Sequence, residues 1–228
     1  DINELFKQNN IDVVYHCAAT AHEGLSVVSP NFVTKNIFQS SVSVFSAAIN
    51  NKVKRIVFCS SMARYGNIKP PFTEDSDPNP VDPYGIAKLA AEKVLISLCK
   101  LNNIEWVIAV PHNIVGPKQK YDDPYRNVMS IIIHKMLKKE NPIIYGDGEQ
   151  KRCFSFIKDC ISPLYKMMTS HDANNQIINI GPDEGTISIN ELVNLCANHL
   201  GYNGKPIYFK DRPLEVKNAF CSSDKARR

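Results

Sequence analysis

Three short apolar runs, set apart by long stretches of helical periodicity, restrict this chain's fold more than any other feature. DVVYHCAA (12–19), RIVFCSS (55–61) and EWVIAVPHNIVG (105–116) are rich in Val and Ile and lack the alternation of a strand with one wet face. Runs of that length and texture belong to strands covered on both sides, as in a parallel sheet. Between the first two, SPNFVTKNIFQSSVSVFSAAINN (29–51) reads as a helix, with Ser29 as N-cap and Pro30 in the first helical position. A second helix starts after Asp82 and Pro83, carries YGIAKLAAEKVL, and stops at Asn102 and Asn103. DINELFKQNN (1–10) also reads as a helix. Strand–helix–strand–helix–strand predicts the α/β class and a doubly wound parallel sheet. After Gly116 the texture changes to loops such as GPKQKYDDPYRN, short strands such as PIIYG, and a late helix, SINELVNLCANHLG (188–201). Residues 1–115 therefore read as one α/β unit. Residues 116–228 read as a smaller α/β region, from which 177–181 returns to the main sheet.

Composition narrows the function classes. A net charge of +4, dispersed along the chain, gives no basic stripe for a nucleic-acid partner. The seven cysteines (17, 59, 99, 153, 160, 196 and 221) form no Cys-x-x-Cys pair. That spacing argues against a disulfide frame or a metal site and for reduced thiols in the cytoplasm. No apolar run approaches the ~20 residues of a membrane helix, so no membrane partner is expected.

Tyr84 and Lys88 stand four residues apart in PYGIAK. With 9 Tyr and 20 Lys in 228 residues, chance alone supplies about 0.8 such pairs, and a second one exists at Tyr65 and Lys69. Pro70 and Pro71 disfavour helix just before them, so Tyr65 and Lys69 do not share a face. In the helix after Asp82, the spacing makes Tyr84 and Lys88 surface neighbours, with Ile86, Leu89, Ala90, Val94 and Leu98 as the expected apolar stripe. Ser60 and Ser61 fall at the carboxyl end of a buried strand, where ligands bind in open α/β sheets. Ser, Tyr and Lys together make an acid–base set. A phenol acting as base near pH 7 must be stabilised as phenolate by about 3 pKa units. A Lys88 ammonium and a positively charged nicotinamide ring would supply that. Gly-x-Ser-x-Gly is absent, which argues against a nucleophilic serine.

At these residues the chain resembles the extended short-chain dehydrogenase/reductase superfamily, in its nucleotide-sugar epimerase branch. YHCAA (15–19) resembles the branch's His-x-Ala-Ala strand end, and GLSVVSPNFVTKNIFQS its Gly-x-Ser…Pro…Asn segment. SSMARYG, PYGIAK and PHNIVGP resemble its serine, Tyr–Lys and asparagine motifs. PYRNV, PIIYGDGEQKRCFSFIKD and RPLEVKNAFCSSDKA resemble its later nucleotide-binding segments. The resemblance implies a UDP-glucose 4-epimerase-like enzyme that uses NAD, acts on a UDP-sugar, and pairs as a homodimer through helices 29–51 and 83–101. It implies Ser61 and Tyr84 as the acid–base pair and Lys88 as the residue that tunes Tyr84 and holds the ribose. Cys17, Ala18, Ala19, Thr20, Asn36, Ser60 and His112 would line the cofactor, His112 through its backbone. Asn113 and Asn127 would hold the sugar and pyrophosphate, and Ile143 and Tyr145 would border the base. Arg152 and Arg212 would take the pyrophosphate, Glu215 a ribose hydroxyl, and Ala219 would leave room for an N-acetyl group. Taken without the resemblance, His16 reads as a core histidine and each Arg as a surface ion pair.

The branch's dehydratases and decarboxylases carry an acid just before the Tyr-Gly, where this chain has Met62, Ala63 and Arg64. Oxidation and re-reduction at C4 therefore fits better than elimination. A 4-keto sugar reductase, another nucleotide-sugar epimerase, or a non-catalytic scaffold on the same fold are the alternatives. The family's Gly-x-x-Gly-x-x-Gly turn has no counterpart, the first glycine being Gly24. Asp1 lies 15 residues before His16, short of the spacing expected of the adenine-contacting Asp. The chain thus reads as N-terminally truncated, lacking the first strands and adenosine contacts, and as a weak binder of NAD by itself with an open sheet edge.

Overall fold

The computed structural model describes residues 2–182 and 185–228, so the reading of Asp1 falls outside the described residues. The first part of the chain runs α1 (Ile2–Gln8), β1 (Val13–His16), α2 (Glu23–Val28) and α3 (Pro30–Thr34). A π-helical turn, Lys35–Gln39, joins α3 to α4 (Ser40–Asn50), and β2 (Arg55–Cys59) follows. A 3-10 turn (Met62–Arg64) and a long loop lead to α5 (Pro83–Asn102) and β3 (Glu105–Pro111). β1, β2 and β3 pair in parallel, with His16 opposite Phe58 and Phe58 opposite Ile108. The helix expected over 29–51 is present, with two differences. It contains the π turn, and the Ser29 hydroxyl makes no capping hydrogen bond, although Pro30 opens the helix. Helix α2 lies just ahead of the stretch read as helix, 29–51.

The second part begins with β4 (Ile114–Val115), α6 (Val128–Leu137), β5 (Ile143–Tyr145) and β6 (Lys151–Arg152). It continues through β7 (Ser155–Phe156), α7 (Ile157–Lys166), β8 (Gln176–Ile180), β9 (Ile187–Ser188) and α8 (Ile189–Leu200). It closes with β10 (Ile207–Phe209), β11 (Asn218–Ala219) and α9 (Asp224–Arg227). Helix α8 carries a full capping box at Ser188 and Glu191 and ends at Gly201 in the left-handed region. β8 lies parallel to β3, which gives the main sheet the order β1-β2-β3-β8. The other strands form small sheets that pair β4 with β7, β10 with β5, and β6 with both β11 and β9.

Period-2 alternation explains why the sheet is covered on both faces. Ile56, Phe58, Trp106 and Ile108 pack with Phe45, Ala91, Leu95 and Cys99 of α4 and α5. Val57, Val107, Ala109 and Ile178 pack with Cys160 of α7 and with Met167. The two ends of the sheet differ in chemistry. At the amino end Arg55 is closed in by Glu105 at 2.7 Å and the carbonyls of Met167 and Ser170, each at 3.0 Å. At the carboxyl end the chain places Cys17, Ser60, Ser61 and His112, beside the first turn of α5.

Helix α5 corrects one expectation. Its buried face carries Tyr84, Ala87, Lys88, Ala91, Glu92, Leu95 and Cys99, whereas Ile86 is 52 % exposed. The stripe read as Ile86, Leu89, Ala90, Val94 and Leu98 lies to one side of the true face. The reason is that the helix sends its polar working residues inward and uses alanines to approach the sheet, so hydrophobicity alone picks the wrong stripe.

Candidate active site

The first turn of α5 fixes the site. The Asp82 carboxylate accepts the Gly85 N–H at 2.8 Å and caps the helix. A Cβ on Gly85 would lie 2.6 Å from the Ala63 carbonyl, so the helix approaches the Met62–Arg64 turn as closely as a glycine allows. That turn is itself capped by Ser61, whose hydroxyl accepts the Ala63 N–H at 3.2 Å. The two caps bring Ser61 and Tyr84 to the same cleft. Both side chains are nearly buried. Burial pushes the Tyr84 phenol well above its ordinary value; the nearby Ser61 hydroxyl works against this, and Glu23 and Asp82 add to it.

Lys88 lies one turn further along, 2 % exposed. Its ammonium donates to the Cys59 carbonyl at 2.7 Å and sits 4.8 Å above the Phe58 ring. Burial lowers it to about 8. Lys88 is thus tied to the end of β2. An ammonium has three donors, and this bond uses one. The remaining two suit a ribose diol; Cys17, whose charge acts on Lys88, and Ala18 are exposed, and Ala19 and Thr20 are half-buried. Asn36 is half-buried within the π turn. His112 is fully buried and pushed down to about 4 by burial. Its N–H donates to the Ile180 carbonyl and its own carbonyl accepts from Ser155, which leaves one carbonyl lone pair for the backbone contact expected above.

A cleft with two lobes, about 400 and 420 Å³, opens in front of Ser61 and Tyr84. Asn113, in the left-handed region at φ 38°, lines it and donates to the Cys153 carbonyl at 3.0 Å. Asn127 lines it while its side-chain oxygen caps α6 through Met129. Tyr145 carries Arg212 over its ring at 4.0 Å. Arg152 pairs with Glu215 at 3.2 Å and donates to two backbone carbonyls. Ala219, beside Arg152 in the β11–β6 ladder, walls the second lobe. Ile143 shares a strand face with Tyr145 but lies further up β5 and does not line the cleft. Ser60 borders it, yet its hydroxyl is committed to Glu92.

The structure adds residues that sequence reasoning missed. Glu92 is 1 % exposed and holds both the Ser60 hydroxyl and the Arg64 guanidinium, the latter at 3.0 Å. The i, i+4, i+8 spacing of Tyr84, Lys88 and Glu92 was the available signal. Glu23, at the start of α2, lines both lobes and had no signal, because its segment showed no periodicity. Tyr65 is a core residue, bonded through its hydroxyl to Asn179 at 2.7 Å. His16 is likewise a core group, paired with Ser41 at 2.9 Å and stacked on Phe58. Among the described residues no cluster of His, Cys, Asp and Glu is placed to hold a metal, and no helix is long and apolar enough to cross a membrane.

A doubly wound parallel sheet with Ser, Tyr and Lys gathered at the carboxyl ends of its strands defines a protein of the short-chain dehydrogenase type. Comparison with known proteins narrows this. The chain belongs to the NAD dependent epimerase/dehydratase family, whose model matches residues 1–181. It is 32% identical over 230 residues to a putative UDP-glucose 4-epimerase of Methanocaldococcus jannaschii, covering 99% of this chain and 73% of that protein. The UDP-glucose 4-epimerase of Thermotoga maritima, solved with UDP-glucose, superposes with a TM-score of 0.93 at 28% identity, covering 99% of this chain and 73% of that one. The UDP-glucuronic acid 4-epimerase of Bacillus cereus, solved with UDP-glucuronic acid and NAD, gives 0.89 at 27% identity, over 99% and 70%.

Proposed function

We propose that this chain acts as an NAD-dependent UDP-sugar 4-epimerase, inverting C4 of a UDP-hexose such as UDP-glucose or UDP-galactose through a 4-keto sugar. The observation that carries this reading is the single cleft lined by Ser61 and Tyr84 together with Arg152 and Arg212. Met62, Ala63 and Arg64 bring no carboxylate to the adjoining turn, and Arg64 is turned inward to Glu92, which favours redox inversion over elimination. A bound NAD would supply the hydride acceptor and donor for C4, and Tyr84 as phenolate would be favoured by its ring charge. Ser61 bridges the O4 proton to Tyr84, which holds it until the keto oxygen is reduced again. Lys88 donates to the ribose diol, with Cys17 to Thr20 and Asn36 on the same side.

Arg152 and Arg212 offer forked donors to the pyrophosphate. Tyr145 flanks the uracil, and Glu215 accepts from the nucleotide ribose. Asn113 and Asn127 hold the sugar and pyrophosphate, and Ala219 leaves space for an N-acetyl group. In this reading residues 1–115 serve the cofactor and 116–228 mainly the sugar nucleotide, the seven cysteines fit a reducing cytoplasm, and exposed Phe32, Phe38 and Ile86 form a homodimer face.

The test is C4 inversion of UDP-galactose or UDP-N-acetylgalactosamine by the full-length gene product, followed by proton NMR with no added nicotinamide. Tyr84→Phe should lower the rate by about 10²-fold or more. Unchanged turnover in that variant would remove Tyr84 from the chemistry.

A further inference from the structure

We propose that Glu23 makes the sugar subsite select an uncharged hexose over a hexuronate, a specificity that rests on the UDP-sugar reading above. Glu23 shares one wall of the cleft with Ser61, Tyr84 and Asn113, which places it at the reacting end. Its charge is felt by the Tyr84 phenol. The cations that line the cleft are Arg126, Arg152 and Arg212. Arg126 faces Asp123 at 3.6 Å and Arg152 faces Glu215 at 3.2 Å. Arg212 lies over Tyr145, and with Arg152 it serves the pyrophosphate. Arg126 keeps an Nε without a hydrogen bond, but the Asp123 charge offsets its own, while Glu23 adds a negative charge at the reacting end.

Hydroxyl groups behave differently, since they donate to a carboxylate through charge-assisted hydrogen bonds. A like charge placed opposite Glu23 is repelled, and such repulsion is a common device for rejecting a partner. Glu23 is exposed at the edge of the cleft, yet loss of water around its carboxyl lifts it to about 7; Asp82 and Glu215 add to the rise, and Arg152 and Arg212 oppose it. A second carboxylate beside it would have to enter with Glu23 protonated. The fold does not itself set this preference, because the similar Bacillus cereus structure holds UDP-glucuronic acid.

Calorimetric titration of UDP, UDP-glucose and UDP-glucuronate into the NAD-loaded full-length gene product at pH 8 tests the assignment. UDP-glucose should bind at least about tenfold tighter than UDP-glucuronate. Glu23→Gln should close most of that gap, Glu23→Asp should keep it, and UDP alone should bind all three proteins equally, which controls for folding. Equal binding of the two sugar nucleotides by the wild type, or a gap that survives Glu23→Gln, overturns the assignment. C4 inversion measured on the same samples separates the two ideas. The expected gap without turnover sinks the epimerase reading and leaves Glu23 in its role. Failure of both sugar nucleotides to bind sinks both.

Discussion

Burial acts on Tyr84 and Lys88 in opposite directions, lifting the phenol and lowering the ammonium, so both are pressed toward their neutral forms. His16 belongs to the same neighbourhood. Burial, and then the Lys88 charge, push its ring down to about 4, and its Nε2 is held by Ser41. The unfolded imidazole takes a proton near 6.5, while the folded ring does not until about 4. Acid therefore favours the unfolded chain progressively between those values, and the penalty is complete below the lower one. Its full size is on the order of 3 kcal/mol. Glu23, held up to about 7, acts in the opposite sense over part of that range, so the His16 contribution is best read as a difference. Urea melts from pH 7 to 4 should show His16→Asn losing stability less steeply with acid than the wild type. Parallel slopes would mean that the folded ring accepts a proton freely.

At the scale of elements, the junction between α5 and the Met62–Arg64 turn carries the site's precision. Gly85→Ala would press a methyl group against the Ala63 carbonyl and Pro80, so the helix must back away from Ser61. We expect a loss of about 1–3 kcal/mol in stability and a larger fall in kcat than in KM, measured by urea titration and steady-state kinetics on one preparation. Unaltered kcat would show that the placement of Ser61 and Tyr84 tolerates the shift. Much of this architecture was legible in the sequence. The three strands, the Asp82–Pro83 start, the Asn102–Asn103 stop and the late helix over 188–201 all announce themselves through local chemistry. The buried face of α5 did not, because Lys88 and Glu92 are interior charges whose partners, the Cys59 carbonyl, Ser60 and Arg64, come from another part of the chain. Glu23 escaped notice for a related reason. Its place in the cleft depends on residues more than a hundred positions away, which no local pattern encodes.

Across the whole molecule, Asn179 of β8 joins segments that are remote in sequence. It is fully buried, accepts from the Tyr65 hydroxyl at 2.7 Å, and donates to the Phe72 and Ser222 carbonyls, each at 3.2 Å. Asn179→Leu would strand those partners and should cost about 2–4 kcal/mol, read from the urea midpoint; a neutral substitution would show that they find other bonds. Assembly is a second property of the whole. Phe32 and Phe38, on the α3–α4 stretch, and Ile86 of α5 lie 36–53 % exposed. Sedimentation should give a mass of two chains, reduced to one by Phe38→Glu with Ile86→Glu, while a monomeric wild type would dismiss that face. The π turn ahead of α4 has a further consequence. Val33 and Ile37 pack with Tyr84 and Ala87, and an α-helix turns about 100° per residue. Deleting any one residue from 35 to 39 would relax the turn to ordinary helix and swing Val33 off Tyr84 by that angle. Loss of a single codon there would then silence the enzyme as surely as loss of Tyr84, with every catalytic side chain still encoded.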